Sequence, residues 1–324
     1  MFKIEITSGI ANTDFSSLAE NRCTAHKHSY LESDDWVDWK FNKSPFGRSI
    51  VALVRNDKAE VIACNAYGIL EYKIGNKEFK VAKPYETFVH ADYQGKGLFS
   101  KMLTKIREEA INQKLDGLLF FPNEQSLNSL KKSKDWMELK TPIRYFISPR
   151  ISFSTLFNLI DIKKLFVPLR SSEQQQRLFD FKGNNLQNSK ILKLNTSSDY
   201  LKWRFNPPTI NLYRKFTGKN TEIVIREGKR GRLKEAQVVF IGYSVDFNSK
   251  SLKNELLNSF RILHKEFDLV GVPISVNNDL ISILGKLKFL SLPSRTNVFI
   301  QPISDIFKEN IEKLALSGLD FHTY

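Results

Sequence analysis

Ten residues near the start of the chain return 164 residues later without a gap. Ser33-Asp34-Asp35-Trp36-Val37-Asp38-Trp39-Lys40-Phe41-Asn42 is matched by Ser197-Ser198-Asp199-Tyr200-Leu201-Lys202-Trp203-Arg204-Phe205-Asn206. The first Ser, second Asp, Trp, Phe and Asn are identical, and Trp36/Tyr200, Val37/Leu201 and Lys40/Arg204 are conservative. An offset of about half of 324 residues implies two related halves, divided here into residues 1–150 and 151–324. Each copy leads into a pair of apolar, strand-like runs. In the first half these are residues 49–54 and 59–67, joined by the turn-forming Asn56-Asp57. In the second they are residues 222–225 and 236–244, joined by a longer basic stretch, 226–232. Helices with apolar spacing near 3.6 follow, one through Leu98, Met102, Ile106 and Ala110, the other through Leu252, Leu256, Phe260 and Leu263. Short strands come next, at 117–121 and 269–272, and residues 295–300 read as a closing strand of the second half. This order suits an α/β sandwich around a mixed sheet in each half.

The halves differ at one place. Val89-His90-Ala91-Asp92-Tyr93-Gln94-Gly95-Lys96-Gly97-Leu98-Phe99-Ser100 reads as a strand end, a glycine loop and the first turn of a helix. Glycine lets a ligand approach the backbone closely, and the helix start offers unpaired N–H groups and partial positive charge. Together they make a site for phosphate or pyrophosphate. The spacing is neither G-x-x-x-x-G-K-[ST] nor G-x-G-x-x-G. The corresponding stretch of the second half, 242–250, has no such glycine pair.

A net charge of +14 favours an acidic ligand or partner, whether a phosphorylated small molecule, RNA or an anionic membrane. It also suits a basic solvated surface, because the lysines are scattered and form no block of like charge. Cys23 and Cys64 make no metal spacing and no disulfide framework, so a reducing cytoplasm is the expected compartment. The first residues alternate like a strand rather than a signal peptide, and no apolar run approaches the ~18 residues of a spanning helix. Residues 151–160 are apolar on one face, which fits either a linker helix packed between the halves or an interfacial membrane helix. The polar run 171–176 reads as an exposed loop or a helix start.

The stretch Gln94-Gly95-Lys96-Gly97 resembles the Q/R-x-x-G-x-G/A loop of the GNAT superfamily of N-acetyltransferases. In that family the loop grips the pyrophosphate of acetyl-CoA. Beyond the strand at 117–121, Asn123, Ser126 and Trp136 fill further positions of the family outline. Phe99 departs from it, standing where Gly or Ala is usual, and Asp135 replaces the usual Gly before Trp136. The resemblance implies two tandem GNAT-like domains, the second degenerate, with acetyl-CoA as co-substrate of the first. Its binding residues would be Phe88, Val89, Gln94, Gly95, Lys96, Gly97, Leu98, Phe99, Ser100, Asn123 and Ser126. Phe88 and Val89 would bring a strand N–H to the thioester carbonyl, and Lys96 and Lys101 would meet phosphates.

Within that frame Glu86 and His90 are the ionisable groups on the strand before the loop, four residues apart and so on one face. Glu86 is either the general base or an ion-pair partner of a lysine. His90 is either a base or a hydrogen-bonding residue near the loop. Many family members carry a tyrosine acid seven residues after the Asn; here that position is Leu130, leaving Tyr145 or Tyr93 to serve if the fold brings one near. Trp36, Trp39 and Phe41 would form either an acceptor wall or packing, and their recurrence as Trp203 and Phe205 favours packing. The implied activity is acyl transfer to a primary amine of a small acceptor, such as an amino sugar for surface polysaccharide. Two other readings are an aminoacyltransferase taking aminoacyl-tRNA, which the basic charge suits, and a non-catalytic CoA-binding interaction module. The oligomeric state is not legible.

Overall fold

The computed structural model describes residues 2–14, 33–139, 143–150, 170–171, 180–181, 189–208, 213–243, 249–275, 278–293 and 296–321. Cys23, the segment 151–160 and most of 171–176 lie outside them. In chain order the strands are β1 (Ile4–Ser8), β2 (Ile50–Arg55), β3 (Val61–Ile74), β4 (Lys77–Val89), β5 (Gly117–Phe120), β6 (Met137–Glu138), β7 (Ile143–Pro149), β8 (Arg170–Ser171), β9 (Lys193–Leu194), β10 (Tyr213–Thr217), β11 (Thr221–Arg230), β12 (Leu233–Tyr243), β13 (Leu269–Ser275), β14 (Leu290–Pro293) and β15 (Phe299–Pro302). The helices are α1 (Asp34–Asn42), α2 (Leu98–Asn112), α3 (Glu124–Lys132), α4 (Ser198–Phe205), α5 (Ser249–Glu266), α6 (Leu280–Lys286), α7 (Asp305–Asn310) and α8 (Gly318–Phe321).

These elements build two mixed sheets. The first runs β1-β2-β3-β4-β5-β15-β6, with β9 on β3; the second runs β10-β11-β12-β13-β7-β14, with β8 on β11. In each, a three-stranded antiparallel meander feeds a helix that crosses to a parallel strand: β4 pairs with β5 and β12 with β13. The equivalences are therefore β2 with β10, β3 with β11 and β4 with β12. The two-strand match suggested by the sequence was one strand out of step. The expected basic connection at 226–232 is also strand: β11 continues through Arg230, and Gly231, with φ of +62°, makes a tight turn. In the first half Asn56 closes the expected turn, its Oδ1 accepting from the amides of Lys58 and Glu60.

The halves are interlocked. β7, from before residue 150, pairs with β13 and β14 in the second sheet. The closing strand expected of the second half begins later, at Phe299, and pairs with β5 and β6 in the first sheet. Each exchanged strand lies inside the other half's sheet, β15 between β5 and β6 and β7 between β13 and β14.

The repeated segment joins them. Ser33 and Ser197 cap α1 and α4 by accepting from the amides three residues on. The two helices meet so that Trp39 Nε1 donates to the Trp203 carbonyl at 2.9 Å and Trp203 Nε1 donates to the Trp39 carbonyl at 3.0 Å, with the rings 5.3 Å apart. One core runs through this contact, including Phe41, Cys64, Phe88, Phe205 and Phe240. A second fills the space between the first sheet and α2, and a third lies between the second sheet and α5. Among the described residues no helix is long and apolar enough to cross a membrane.

Trp39→Phe and Trp203→Phe each remove an indole hydrogen bond to a buried carbonyl, at an expected cost of about 0.5–1.5 kcal/mol. Because both act on one contact, a urea-denaturation double-mutant cycle is expected to show a coupling of about 0.5–3 kcal/mol. Additive losses would mean that the two tryptophans act separately.

Candidate active site

The site begins with an interruption in β4. Lys80 directs both backbone groups toward β5, its carbonyl accepting from Asp116 N and its N–H donating to the Asp116 carboxylate, each at 2.8 Å. Alternation gives Ala82 and residue 84 the same direction. Residue 84 is Pro, which has no N–H to give. The parallel ladder stops there, with only Val81–Gly117 and Ala82–Leu118 paired. At the same point the register with β3 slips: Ala66 faces Glu86 and Tyr67 faces Pro84, leaving Tyr85 as the extra residue of a bulge. Beyond it the direction of the backbone reverses. His90 N donates to Ile62 O, so residues 86, 88 and 90 point to β3, and Thr87 and Val89 point to the open side. The Phe88 amide therefore faces β3. The Val89 amide, the second one suggested by the sequence, lies on the open edge.

The glycine loop stands at the end of this edge. His90 caps a short 3₁₀ turn, Ala91–Tyr93, its Nδ1 accepting from Asp92 N. Gln94 then folds back, Nε2 donating to the Val89 carbonyl at 3.1 Å. Gly95 and Gly97 are both left-handed, with φ of +74° and +71°, and a Cβ at either would meet nothing within 4 Å. Gly97 caps α2 without a side-chain bond. The first helical hydrogen bond, Lys101 N to Gly97 O, leaves the amides of Leu98, Phe99 and Ser100 directed out of the helix start. Leu98 is buried, whereas residues 94–97, Ser100 and Lys101 are exposed. Lys96 lies over the Tyr93 ring, 4.8 Å from its centroid. Phe99 turns inward and packs edge-on against Phe120, so the departure from a small residue fills core rather than blocking the loop.

Asn123 and Ser126 stand at the start of α3, just past β5. Asn123 Oδ1 accepts from both the amide and the hydroxyl of Ser126 at 2.9 Å, so these two side chains are bonded to each other. Leu130, further along α3, is buried in the second core. Neither candidate replacement for the missing tyrosine acid enters the slot. Tyr145 belongs to β7, where its hydroxyl bonds Glu235 and it lies beside Arg230 and Gln237. Tyr93 packs edge-on against His90 and Phe2.

The inner face of β4, toward the other half, carries two buried charged residues, Lys83 and Glu86, among core residues. Glu86 is buried and ion-paired with Lys40, itself fully buried, at 3.1 Å. Lys40 Nζ also lies 4.5 Å from the Trp36 ring centroid. His90 lies on the same side of the strand but at its exposed end, so the two expected bases sit in different environments. Trp36, Trp39 and Phe41 are core residues, in keeping with packing. The sequence reading missed Lys83, two positions before the bulge. Only 3% exposed, it places its ammonium over the ring of Phe121, 5.4 Å from the centroid, and forms no ion pair among the described residues. Burial, opposed by Asp320 and reinforced by Arg204 and Lys40, lowers its pKa from 10.5 to about 7. Asp320 on α8 is also buried, accepting from Tyr72 Oη at 2.5 Å and from the Ser317 amide and hydroxyl. Burial raises its carboxyl above the usual range. Pro84 inside a strand-like run was the signal available for the bulge, and alternation with Phe79, Val81 and Tyr85 the signal for Lys83.

The second sheet has the equivalent gap and fills it. β12 and β13 pair through Gln237 and Gly271 and then part. Into the opening runs the segment before α8: Ser275 N donates to Leu316 O, Leu316 N donates to Ser275 Oγ, and a Cβ on Gly318 would lie 2.7 Å from the Val239 carbonyl. Beside it is a cavity of about 340 Å³, lined in part by Lys193, Tyr243, Asp279, Ser317 and Asp320. Among the described residues no segment hydrogen-bonds into the first gap in this way. No group of metal-ligating side chains occurs among them either.

The lowered Lys83 pKa has a measurable consequence. Below about pH 7 both folded and unfolded chains hold the proton, and the fold bears the full cost of a buried charge. Between about 7 and 10.5 the unfolded chain binds more protons, so stability rises with pH. Lys83→Met is expected to be at least as stable as wild type at pH 6. The difference between the urea midpoints of wild type and variant should then move in the wild type's favour by pH 9. A constant difference would place Lys83 at an ordinary pKa.

No protein-family model matches the chain, and no curated protein matches it by sequence. Solved structures do match. A conserved protein of unknown function from Enterococcus faecalis, described as a probable N-acyltransferase, superposes with a TM-score of 0.60 at 8% identity, over 92% of this chain and 72% of that one. A GCN5-related N-acetyltransferase from Anabaena variabilis gives 0.58 at 12% identity over the same shares. Saccharomyces cerevisiae N-myristoyltransferase, with bound myristoyl-CoA, gives 0.54 at 12% identity over 99% of this chain and 85% of that one. The fold is GNAT-like.

Proposed function

We propose that the chain is an acyl-CoA-dependent N-acyltransferase that acylates a primary amine of a small acceptor. The observation that carries this reading is the conjunction at the end of β4. Two left-handed glycines with open space above them start a helix, beside a strand edge whose ladder has ended. The residues fit a CoA ester. The amides from Gly95 to Ser100 and the charges of Lys96 and Lys101 suit a pyrophosphate. The open edge at Thr87 and Val89 suits the extended pantetheine arm and offers an N–H to polarise an acyl carbonyl. A bound CoA ester would supply an acyl group activated as a thioester.

The filled gap in the second sheet supports assigning the CoA ester to the first half alone. Interlocking through β7 and β15 supports a shared role, in which the second half forms the acceptor side. The cavity that reaches Asp320 is the space we assign to the acceptor. Acetyl is the acyl group the family resemblance favours, and an amino sugar remains the narrower acceptor proposal. The intact loop supports CoA over aminoacyl-tRNA as donor.

Calorimetry with acetyl-CoA and longer acyl-CoAs tests the reading. Wild type is expected to bind at least one of them. Gly97→Trp has room for its side chain but carries about 1–2 kcal/mol of strain in the left-handed backbone, so a urea midpoint checks its folding; folded, it places an indole where the phosphate must sit. Losing two charge-assisted hydrogen bonds of about 1.5 kcal/mol each weakens binding by about 100-fold. Absence of binding by wild type would overturn the reading. Salt-sensitive tRNA binding would then favour the aminoacyl donor, and binding without turnover on any amine would favour an interaction module.

A further inference from the structure

We propose that Lys83 is the proton acceptor in acyl transfer. The inference rests on the acyltransferase reading and deepens it. The sequence had suggested Glu86 and His90 for this task. Glu86 holds the buried ammonium of Lys40 at 3.1 Å, so its carboxylate is engaged in an ion pair. His90 stands at the exposed end of the strand, its Nδ1 engaged by the Asp92 amide.

Lys83 is placed differently. It follows Ala82, the last β4 residue paired to β5, and its ammonium lies over Phe121, three residues past Leu118, the partner of Ala82. The side chain therefore reaches along the inner face toward the slot, between the open edge of β4 and the interior shared with the other half. It is buried, and no carboxylate pairs with it among the described residues. The charged groups that face it come from three other elements: Asp320 from α8, Arg204 from α4 and Lys40 from α1. On its own strand Glu86 is committed to Lys40. The tyrosines of this interior, Tyr72, Tyr85 and Tyr200, are all pushed up by burial and stay neutral near pH 7. Burial above all disfavours the ammonium, Asp320 opposes that effect, and Arg204 and Lys40 add to it. The amine so poised titrates at about 7, where a base works best at neutral pH. Asp320 is both the carboxyl that faces Lys83 and one of the residues lining the cavity assigned to the acceptor.

In the proposed step the acceptor nitrogen forms a bond to the acyl carbon, and the carbon–sulfur bond breaks. The thiolate leaves with the electron pair of that bond. The proton lost by the nitrogen passes to the free electron pair of Lys83 Nζ, and the resulting ammonium then returns it to the thiolate or to water.

The test uses the whole chain, acyl-CoA and an amine panel that includes an arylamine, uncharged throughout the range. Rates are measured from pH 5.5 to 9 for wild type, Lys83→Met and Lys83→Arg, with acyl-CoA calorimetry and urea midpoints as controls for folding. Wild-type kcat is expected to rise through an inflection near 7. Both variants should bind acyl-CoA as wild type does, lose about 100-fold or more in kcat, and lose the inflection. Arginine keeps the positive charge but cannot give up its proton at these pH values. An active Lys83→Arg would therefore reduce Lys83 to a structural cation and overturn the proposal, as would an unchanged Lys83→Met. If wild type acylates no amine at all, the acyltransferase reading itself falls, an outcome distinct from active wild type with active variants.

Discussion

Proline at position 84 has no N–H to offer β5, and the site depends on that missing donor. The ladder between the two parallel strands ends at Ala82, and the bulge at Tyr85 reverses the direction of the backbone beyond it. One local event thus opens a slot and turns the amides of Thr87 and Val89 toward it. Alternation with Phe79 and Val81 turns Lys83 and Tyr85 inward, and the bulge brings Glu86 to the same face. Side-chain alternation alone would have sent one of two neighbouring residues, Tyr85 or Glu86, to the opposite face.

The two halves use one plan for different ends. In each, a meander, a crossing helix and a parallel strand create a gap at the strand ends. In the first sheet the gap meets a glycine loop and an open helix start. In the second the chain closes it with its own segment, with Gly318 pressed against the carbonyls of Val238 and Val239. The reciprocal tryptophan bonds fix these halves face to face, so the interior between them is a built space rather than a hinge. That space holds Lys40, Glu86, Lys83, Arg204 and Asp320, charges that seldom lie so deep unless paired or in use.

The repeat, the glycine loop and both crossing helices were legible in the sequence because each rests on local chemistry: a capping serine, a left-handed glycine, a 3.6-residue spacing. The packing role of Trp39 and Trp203 was legible from recurrence. What was not legible depends on pairing between distant residues. The strand around Phe299 reads the same whichever sheet receives it, and it went to β5. The stretch 226–232 is rich in Arg, Lys and Gly, as a loop would be, yet Arg230 is drawn into β11 by the buried carboxylate of Glu235. Glu86 was found by its position on the strand, but its partner Lys40 comes from the repeat and could not be assigned. Lys83 was hidden because a lysine in a strand ordinarily reads as solvent-facing, and only its alternation with the buried Phe79, Val81 and Tyr85 shows otherwise.

The central claim is that the slot of the first half, and not its filled counterpart, receives a CoA ester. Hydrogen–deuterium exchange resolved to single amides, with and without saturating acetyl-CoA, tests it most directly. The expected result is slowed exchange at Gly95 to Ser100 and at Thr87 and Val89, with no change at the start of α5 or around Leu316 and Gly318. Protection confined to the second half, or to neither gap, would contradict the account.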